Sequence, residues 1–159
     1  MTGILSRLSE KDKGLLLDVN IDVWEQRVLV TGTLDDPHMK NDVLALVNAD
    51  NRITTTYDEI QLVTKAEKES RRQHAQDQKD QNKEGIGQTI DDFWISTKIE
   101  AQLLATKGIT SVNYRWRSVR NRIYIIGRTP DRTELGKVMD VINGTKGVES
   151  VKHFIQIKS

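Results

Sequence analysis

The sequence predicts an α+β protein with two small domains, each a three-stranded mixed sheet covered by helices in the element order αββαβ. Two observations lead to this fold class. Alternating apolar residues are typical of half-buried strands, and they recur in both halves of the 159-residue chain, separated by stretches with helical periodicity. The two halves also align with each other over many apolar positions, which indicates a duplicated small domain.

The internal repeat is clearest where a strand ends at a glycine. The segment 27–32, Arg-Val-Leu-Val-Thr-Gly, matches the segment 122–127, Arg-Ile-Tyr-Ile-Ile-Gly, so that Gly32 corresponds to Gly127 at an offset of 95 positions. The same offset aligns apolar residues on both sides, namely Ile4 with Ile99, Leu8 with Leu103, Val43 with Val138, Val47 with Ile142 and Ile60 with Ile155. A glycine at a strand end lets another backbone approach closely, so both glycines are predicted to be structural.

The first predicted domain covers residues 1–64. Its elements are, in order, a short helix ending near Leu8, a strand with Val19, Ile21 and Val23 on one face, a strand over 28–31, a helix starting at Asp36-Pro37, and a strand over 56–63. The first helix is shorter than its counterpart in the second copy, so we expect another part of the chain to cover some of the first sheet. Trp24 is out of phase with the apolar strand face and is predicted to be exposed or to lie between domains.

A charged linker is predicted over residues 65–90. Residues 65–83 are almost all charged, glutamine or alanine, and they carry no apolar stripe. This composition is typical of an exposed, fraying helix or of a charged linker, not of a core element.

The second predicted domain covers residues 91–159 and opens with a helix over 91–106. Apolar residues spaced by threes and fours define one face of this helix, and they are Ile95, Ile99, Leu103 and Leu104. Asp91 and Asp92 are predicted to cap the helix start. Phe93 and Trp94 have two interpretations: both rings pack on the sheet, or one ring, preferably Trp94, stays at the surface and anchors to an interface that is apolar on one side.

The rest of the second domain follows the plan of the first. A strand with Val112, Tyr114 and Trp116 on one face is followed by strands over 123–126 and 150–157, with a helix between the last two. Trp116 is predicted to pack beneath a helix. Arg115 and Arg117 are predicted to share the opposite face of the same strand.

Charge is distributed unevenly along the chain, although the formal net charge is only +1. Residues 1–64 carry 6 Lys and Arg against 11 Asp and Glu, whereas residues 93–159 carry 12 against 5. A basic half favours an anionic partner, either a lipid head group or a nucleic acid. Nucleic-acid binding would depend on this charge alone, because the aromatic residues show no spacing typical of base stacking.

Composition and motifs exclude several other classes of function. The chain has no cysteine, no apolar run long enough to cross a bilayer and no signal-peptide pattern, so any export signal was removed or never present. The three histidines lie in separate segments, and no metal-ligand spacing, phosphate loop or nucleophile elbow occurs. Asp35-Asp36 is best explained as a helix cap. We therefore expect a protein that is not an enzyme and has no catalytic residues, no metal and no cofactor.

Residues of the second copy resemble the BON domain of bacterial envelope proteins. The resemblance rests on the segment 122–127, on Gly147-Val148-Glu149-Ser150-Val151 and on the helix Asp-Asp-Phe-Trp-Ile-Ser-Thr-Lys-Ile-Glu-Ala-Gln-Leu-Leu. With the weaker first copy, the chain is similar to outer-membrane lipoproteins that carry two BON domains. It departs from them in lacking a lipobox cysteine, in its short first helix and in its longer, more charged linker.

The resemblance implies a non-enzymatic protein of the periplasm, associated with the outer membrane, that supports membrane integrity. It implies that the first helix of the second domain binds anionic phospholipid of the phosphatidylglycerol or cardiolipin type, through Gly87, Trp94, Thr97, Lys98 and Leu104. Basic residues that would support such binding are Arg115, Arg117, Arg120 and Arg122. The alternative is a protein-interaction or assembly module of the envelope that binds no lipid, with outer-membrane assembly proteins as partners.

Overall fold

The computed structural model describes the chain over residues 2–81 and 88–158, with side chains over residues 3–73 and 92–158. The chain forms two compact units, Met1–Gly85 and Ile86–Ser159. Within the described residues, no helix is both long enough and apolar enough to cross a membrane.

The first unit contains a mixed three-stranded sheet with helices on one face. Its elements are α1 (Thr2–Lys11), α2 (Leu15–Asp18), β1 (Val19–Trp24), β2 (Arg27–Leu34), α3 (Pro37–Asn48), β3 (Thr55–Leu62) and α4 (Lys65–Gln81). The central strand β2 pairs antiparallel with β1 and parallel with β3. The core lies between sheet and helices, where Ile4 and Leu8 of α1 and Val43 and Val47 of α3 are fully buried.

The second unit repeats this plan. Its elements are α5 (Gln88–Ala105), β4 (Tyr114–Val119), β5 (Arg122–Thr129), α6 (Arg132–Asn143) and β6 (Ser150–Ile157). The central strand β5 pairs antiparallel with β4 and parallel with β6. The predicted α+β class, with two three-stranded mixed sheets covered by helices, is confirmed. The first unit adds α2 and α4 to the common αββαβ order.

The helix that joins the last two strands of each unit starts at an aspartate cap. Asp36 Oδ1 accepts the backbone N–H of His38 at 2.9 Å, and Pro37 occupies the first turn of α3. Asp131 Oδ1 accepts the N–H of Glu134 at 2.8 Å at the start of α6. Both bonds satisfy an N–H that has no partner inside its helix. The cap predicted at Asp36 is confirmed, whereas Asp35 pairs with Lys68 at 3.1 Å.

Glycine is required where the first strand of each sheet begins beside the central strand. Gly32 pairs with Val19 and Gly127 with Tyr114 in the strand register. A Cβ atom on Gly32 would lie 2.1 Å from the carbonyl oxygen of Asp18, and one on Gly127 would lie 2.1 Å from that of Asn113. Gly32 also has a φ of +127°, which disfavours any side chain.

Helix α4 is attached to the first unit by ion pairs. Lys68 pairs with Asp35. Arg72 binds the carboxylate of Asp18 through two hydrogen bonds, one from Nε to Oδ1 at 3.0 Å and one from Nη2 to Oδ2. The Asp18 side chain is only 1% exposed. The hydrogen bond from Lys68 holds the pKa of Asp35 below its usual value, and the bond to Asp18 raises the pKa of Arg72. The predicted helix is present, but these pairs anchor it to the first unit.

Two details differ from the sequence prediction. Val112 lies in a short 3₁₀ turn, Ser111–Asn113, and is 77% exposed, so the strand starts at Tyr114. Helix α5 begins at Gln88, so Asp91 and Asp92 lie inside the helix and do not cap its start. Trp24 is half-buried at the end of β1, and a position between domains stays a prediction. Trp116 does pack on the core beneath α5, and its Nε1 donates to the Ser96 carbonyl at 3.4 Å.

We predict that Gly127→Ala lowers the free energy of unfolding by about 2–3 kcal/mol, because its methyl group would overlap the backbone of Asn113. The matched control is Gly136→Ala in the middle of α6, where the added Cβ would have nothing within 4 Å beyond its own stretch of helix backbone. That change is expected to stabilise the protein by roughly 0.5–1 kcal/mol. Urea denaturation measures both, and similar effects of the two substitutions would contradict the close approach.

We predict that Arg72→Met destabilises the first unit by about 2–3 kcal/mol, because it leaves the Asp18 carboxylate buried without a cation. Lys65→Met, at an exposed position in the first turn of the same helix, is expected to change stability by less than about 0.5 kcal/mol. Unfolding in urea is the appropriate measurement, because guanidinium chloride would screen the ion pair. Equal stability of the two variants would show that α4 is not held through Arg72.

Candidate functional site

Helix α5 covers the second sheet with one side of its surface. Ile95, Ile99 and Leu103 are buried in the core of the unit. Their spacing of four residues places them on one helical face. The opposite side of α5 therefore points away from the sheet.

That opposite side carries three large, exposed apolar residues. Phe93 is 41% exposed, Trp94 42% and Leu104 67%; Lys98 is exposed and Thr97 half-buried. We call these five residues the outer face of α5. All four sequence-predicted positions of this helix that the structure describes, Trp94, Thr97, Lys98 and Leu104, are thus brought together on one face.

Two observations on this face go beyond the sequence prediction. Phe93 and Trp94 are both exposed, and their rings meet edge to face with centroids 5.7 Å apart and planes at 76°. Ala101 and Ala105 are also exposed on this side and add to the apolar surface near Trp94 and Leu104. The spacing of four residues from Thr97 to Ala101 and from Ala101 to Ala105 was the available signal, because residues at i and i+4 share a helix face.

Asp92 fixes the first described turns of α5 to the β4–β5 hairpin. Its carboxylate accepts hydrogen bonds from Ser118 Oγ at 2.6 Å, from the Arg120 N–H at 3.0 Å and from the Asn121 N–H at 2.9 Å. Arg120 and Asn121 have φ values of 54° and 64°, the left-handed conformation of a tight hairpin turn. Sequence reasoning assigned Asp92 to a helix cap. Its position three residues before Ile95, in phase with the buried face, was the signal for a buried role.

Two further contacts hold α5 on the sheet. Trp116 of β4 donates to the Ser96 carbonyl of the helix. On the other side, Gly147 adopts a φ of +98° and lies so close to Ile95 that a Cβ atom there would be 3.2 Å from Cδ1. Helix α5 is therefore held in place by contacts with β4, with the β4–β5 hairpin and with the loop that precedes β6, and its outer face stays exposed.

The structure does not bring the predicted basic residues to this face. Arg115 and Arg117 are exposed on β4, and they alternate with Tyr114 and Trp116, which point toward the helices. Arg122 likewise alternates with the buried core residue Ile123. These three arginines therefore lie on the sheet side that faces away from the helices.

The remaining two predicted positions are placed differently. Arg120 lies in the hairpin turn, where Asp92 binds its backbone next to the start of the outer face. Gly87 lies outside the residues that the structure describes.

Two titratable side chains of the second unit, Tyr114 and Glu134, hold β4 and α6 together. The Tyr114 hydroxyl donates to the Glu134 carboxylate in a buried contact between β4 and α6. Burial, and then the bond to Glu134, raises the pKa of Tyr114 above its usual value. Such a tyrosine stays protonated and is not a base. Across the described residues, no three histidine, aspartate or glutamate side chains come together to hold a metal ion.

The fold and this surface define a small α+β module that presents an apolar, aromatic helix face. The BON domain family matches residues 91–159, a stretch that lies within the second unit. BON domains occur in periplasmic or envelope proteins, and the family binds phospholipid or mediates envelope interactions.

Comparison with known proteins gives matches that cover most of the chain. An uncharacterized protein in the gshII 5'region of Anaplasma centrale is 26% identical over 145 residues, covering 91% of this chain and 85% of that protein. CdsD, a structural protein of the type III secretion system of Chlamydia trachomatis, matches with 10% identity and a TM-score of 0.38, covering 96% of this chain and 92% of that one. A second structure, of the C-terminal domain of CdsD, matches with 9% identity and a TM-score of 0.37, covering 98% and 96%.

We predict that Asp92→Ala lowers the free energy of unfolding by about 2–4 kcal/mol, because three donors in the hairpin lose their acceptor. Glu100→Ala, an exposed carboxylate two turns further along α5, is expected to change it by less than about 0.5 kcal/mol. Thermal unfolding followed by circular dichroism compares them. If Asp92→Ala lowered the free energy of unfolding no more than Glu100→Ala does, Asp92 would not anchor α5 to the hairpin.

Proposed function

We propose that the second unit binds anionic phospholipid of the phosphatidylglycerol or cardiolipin type through the outer face of α5. In this proposal the chain is a non-enzymatic protein of the periplasm that associates with the outer membrane and supports its integrity. The observation that carries the proposal is the exposure of Phe93, Trp94 and Leu104 on one side of a helix whose other side is anchored to the sheet.

The chemistry of this face suits the boundary between head groups and acyl chains. Phe93, Trp94 and Leu104 offer apolar surface, and the indole N–H of Trp94 can donate to a polar head group. Trp94 and Leu104 are ten residues apart, which corresponds to about 15 Å along the helix axis. A helix whose exposed side carries apolar residues at both ends of this length is expected to lie flat in the interface and not to insert end-on.

Charge supplies the preference for anionic lipid. Lys98 is exposed on the same side as Trp94, and one lysine near an anionic surface contributes on the order of 1 kcal/mol. Arg120, at the hairpin turn beside α5, is the predicted arginine best placed to approach the same surface. Arg115, Arg117 and Arg122 face the other way, so we infer that they contribute through the overall charge of the basic half of the chain.

The first unit fits this proposal as a second BON-like domain. It has the same strand order, the same glycine within the central strand and the same capped helix before its last strand. We propose a tandem arrangement in which residues 1–64 form the first domain, residues 65–90 the linker and residues 91–159 the lipid-binding domain. In the alternative function, the same apolar face binds a protein of an envelope assembly and no lipid.

We predict that the chain co-sediments with phosphatidylglycerol or cardiolipin vesicles but not with neutral phosphatidylcholine vesicles, and that added salt weakens the binding. Trp94→Ala and Leu104→Ala are each expected to weaken it roughly tenfold, because each removes apolar contact with the lipid. Lys98→Glu is expected to weaken binding mainly at low salt.

The matched control is Val112→Ala, which also shortens a highly exposed aliphatic residue of the second unit but lies outside α5. It is expected to bind as the unchanged chain does. Lack of binding to anionic vesicles would favour the protein-interaction alternative. Equal losses for Val112→Ala and Leu104→Ala would mean that lipid binding, if present, does not use the outer face of α5.

A further inference from the structure

One flank of α5 is bordered by the loop that joins α6 to β6. Gln102 of the helix accepts a hydrogen bond from the Thr145 hydroxyl of this loop, with 3.2 Å between Oε1 and Oγ1. Gly147 of the same loop lies against the side chain of Ile95. Because Ile95 and Gln102 are about two helical turns apart, the loop runs beside α5 over that length.

Two exposed lysines lie along this flank. Lys146 stands between Thr145 and Gly147 in the loop, and its side chain is exposed. With about 3.6 residues per turn, Gln102 lies about 80° around the helix axis from Trp94, and Lys98 lies about 40° from Trp94 in the same direction. The exposed side chain of Lys98 is therefore placed, around the axis, between Trp94 and the loop that carries Lys146.

Two more exposed lysines meet at the C-terminal end of α5. Lys107 follows the helix, three residues after Leu104. Lys137 of α6 reaches this end, where its Nζ donates to the Lys107 carbonyl at 3.4 Å. Gly108 leaves room for this contact, because a Cβ atom there would collide with the Lys137 ammonium. The α6 side of α5 thus carries lysine at this end as well.

We propose that four lysines from α5, α6 and the two neighbouring loops bind the phosphate groups of an anionic membrane while the outer face of α5 contacts its acyl chains. We call them the lysine flank, and its members are Lys98, Lys107, Lys137 and Lys146. This inference rests on the proposed lipid binding by α5 and names cationic groups that accompany it. The flank comes from the helix-covered side of the unit, whereas Arg115, Arg117 and Arg122 lie on the other side of the sheet.

The charge around α5 favours this flank over the opposite one. None of the four lysines forms an ion pair with another residue whose side chain the structure describes. Asp140, three residues after Lys137, is an exposed carboxylate on the same side of α6, so four positive charges stand against one negative charge. The exposed Glu100 of α5 lies about 120° around the axis from Trp94, in the direction away from Lys98.

These charges define how α5 rolls in the interface. Trp94, Ala101 and Ala105 are exposed and lie within about 20° of one line along the helix, which is the line of deepest lipid contact in this proposal. The lysine flank borders one side of that line, where long lysine side chains can extend to the phosphates. Glu100 lies beyond the other side and is turned toward water.

Partition of the full chain into phosphatidylglycerol vesicles, measured over a series of salt concentrations, tests the lysine flank. Lys137→Gln and Lys146→Gln are each expected to weaken binding about fivefold, the contribution of one lysine near an anionic surface. Lys137→Arg and Lys146→Arg keep the charge and are expected to bind as the unchanged chain does. The matched control is Arg132→Gln, which removes the same charge from an exposed position on another side of α6 and is expected to weaken binding less than about twofold.

A triple variant with Lys107→Gln, Lys137→Gln and Lys146→Gln is expected to lose roughly hundredfold in affinity and to show a weaker salt dependence. Far-UV circular dichroism verifies that it is folded. If the unchanged chain binds and the two single glutamine variants lose no more than Arg132→Gln does, the lysine flank is overturned and lipid binding by α5 stands. If the unchanged chain does not bind anionic vesicles, the proposed function is overturned and the flank with it.

Discussion

The close approach of two backbones at Gly32 and Gly127 is the constraint on which both units depend. The central strand of each sheet has to pair with a strand on either side, and the antiparallel neighbour begins beside its glycine. A Cβ atom would lie 2.1 Å from a carbonyl oxygen in both cases. Because the first strand starts there, the position of the helix that precedes it depends on the same contact. The repeat keeps this glycine although most other residues of the strand differ.

The position of α5 on its sheet, and so of its outer face, depends on the polar contact of Asp92 as well as on the buried apolar residues of the helix. Ile95, Ile99 and Leu103 set which side of the helix is buried. Asp92 adds direction, because three donors of one hairpin converge on its carboxylate. A buried carboxylate with several donors is a specific contact that leaves few alternative positions for the helix. The exposed aromatic pair is thus placed at a defined end of the unit.

Local sequence patterns predicted the helices and strands, whereas the roles of individual side chains depended on contacts between residues far apart in the sequence. Periodicity of two and of three to four residues predicted both sheets and their helices, and Asp36 was recognisable as a cap from its neighbour Pro37. The role of Asp92 was not recognisable, because its partners are 26 to 29 residues away. Alternation showed that Arg115 and Arg117 oppose Trp116. Only the packing of α5 on that sheet shows that they point away from the outer face.

The attachment of α4 has a thermodynamic consequence. In its described side chains, over residues 65–73, the one apolar residue is Ala66, which is exposed, so the helix is held through charge and hydrogen bonds. Heat capacity changes on unfolding come mainly from newly hydrated apolar surface. Release of α4 would therefore carry almost no heat-capacity signature, whereas loss of either core would carry a large one. Unfolding of the two sheets would therefore account for most of the heat-capacity change of the chain, and detachment of α4 for little of it.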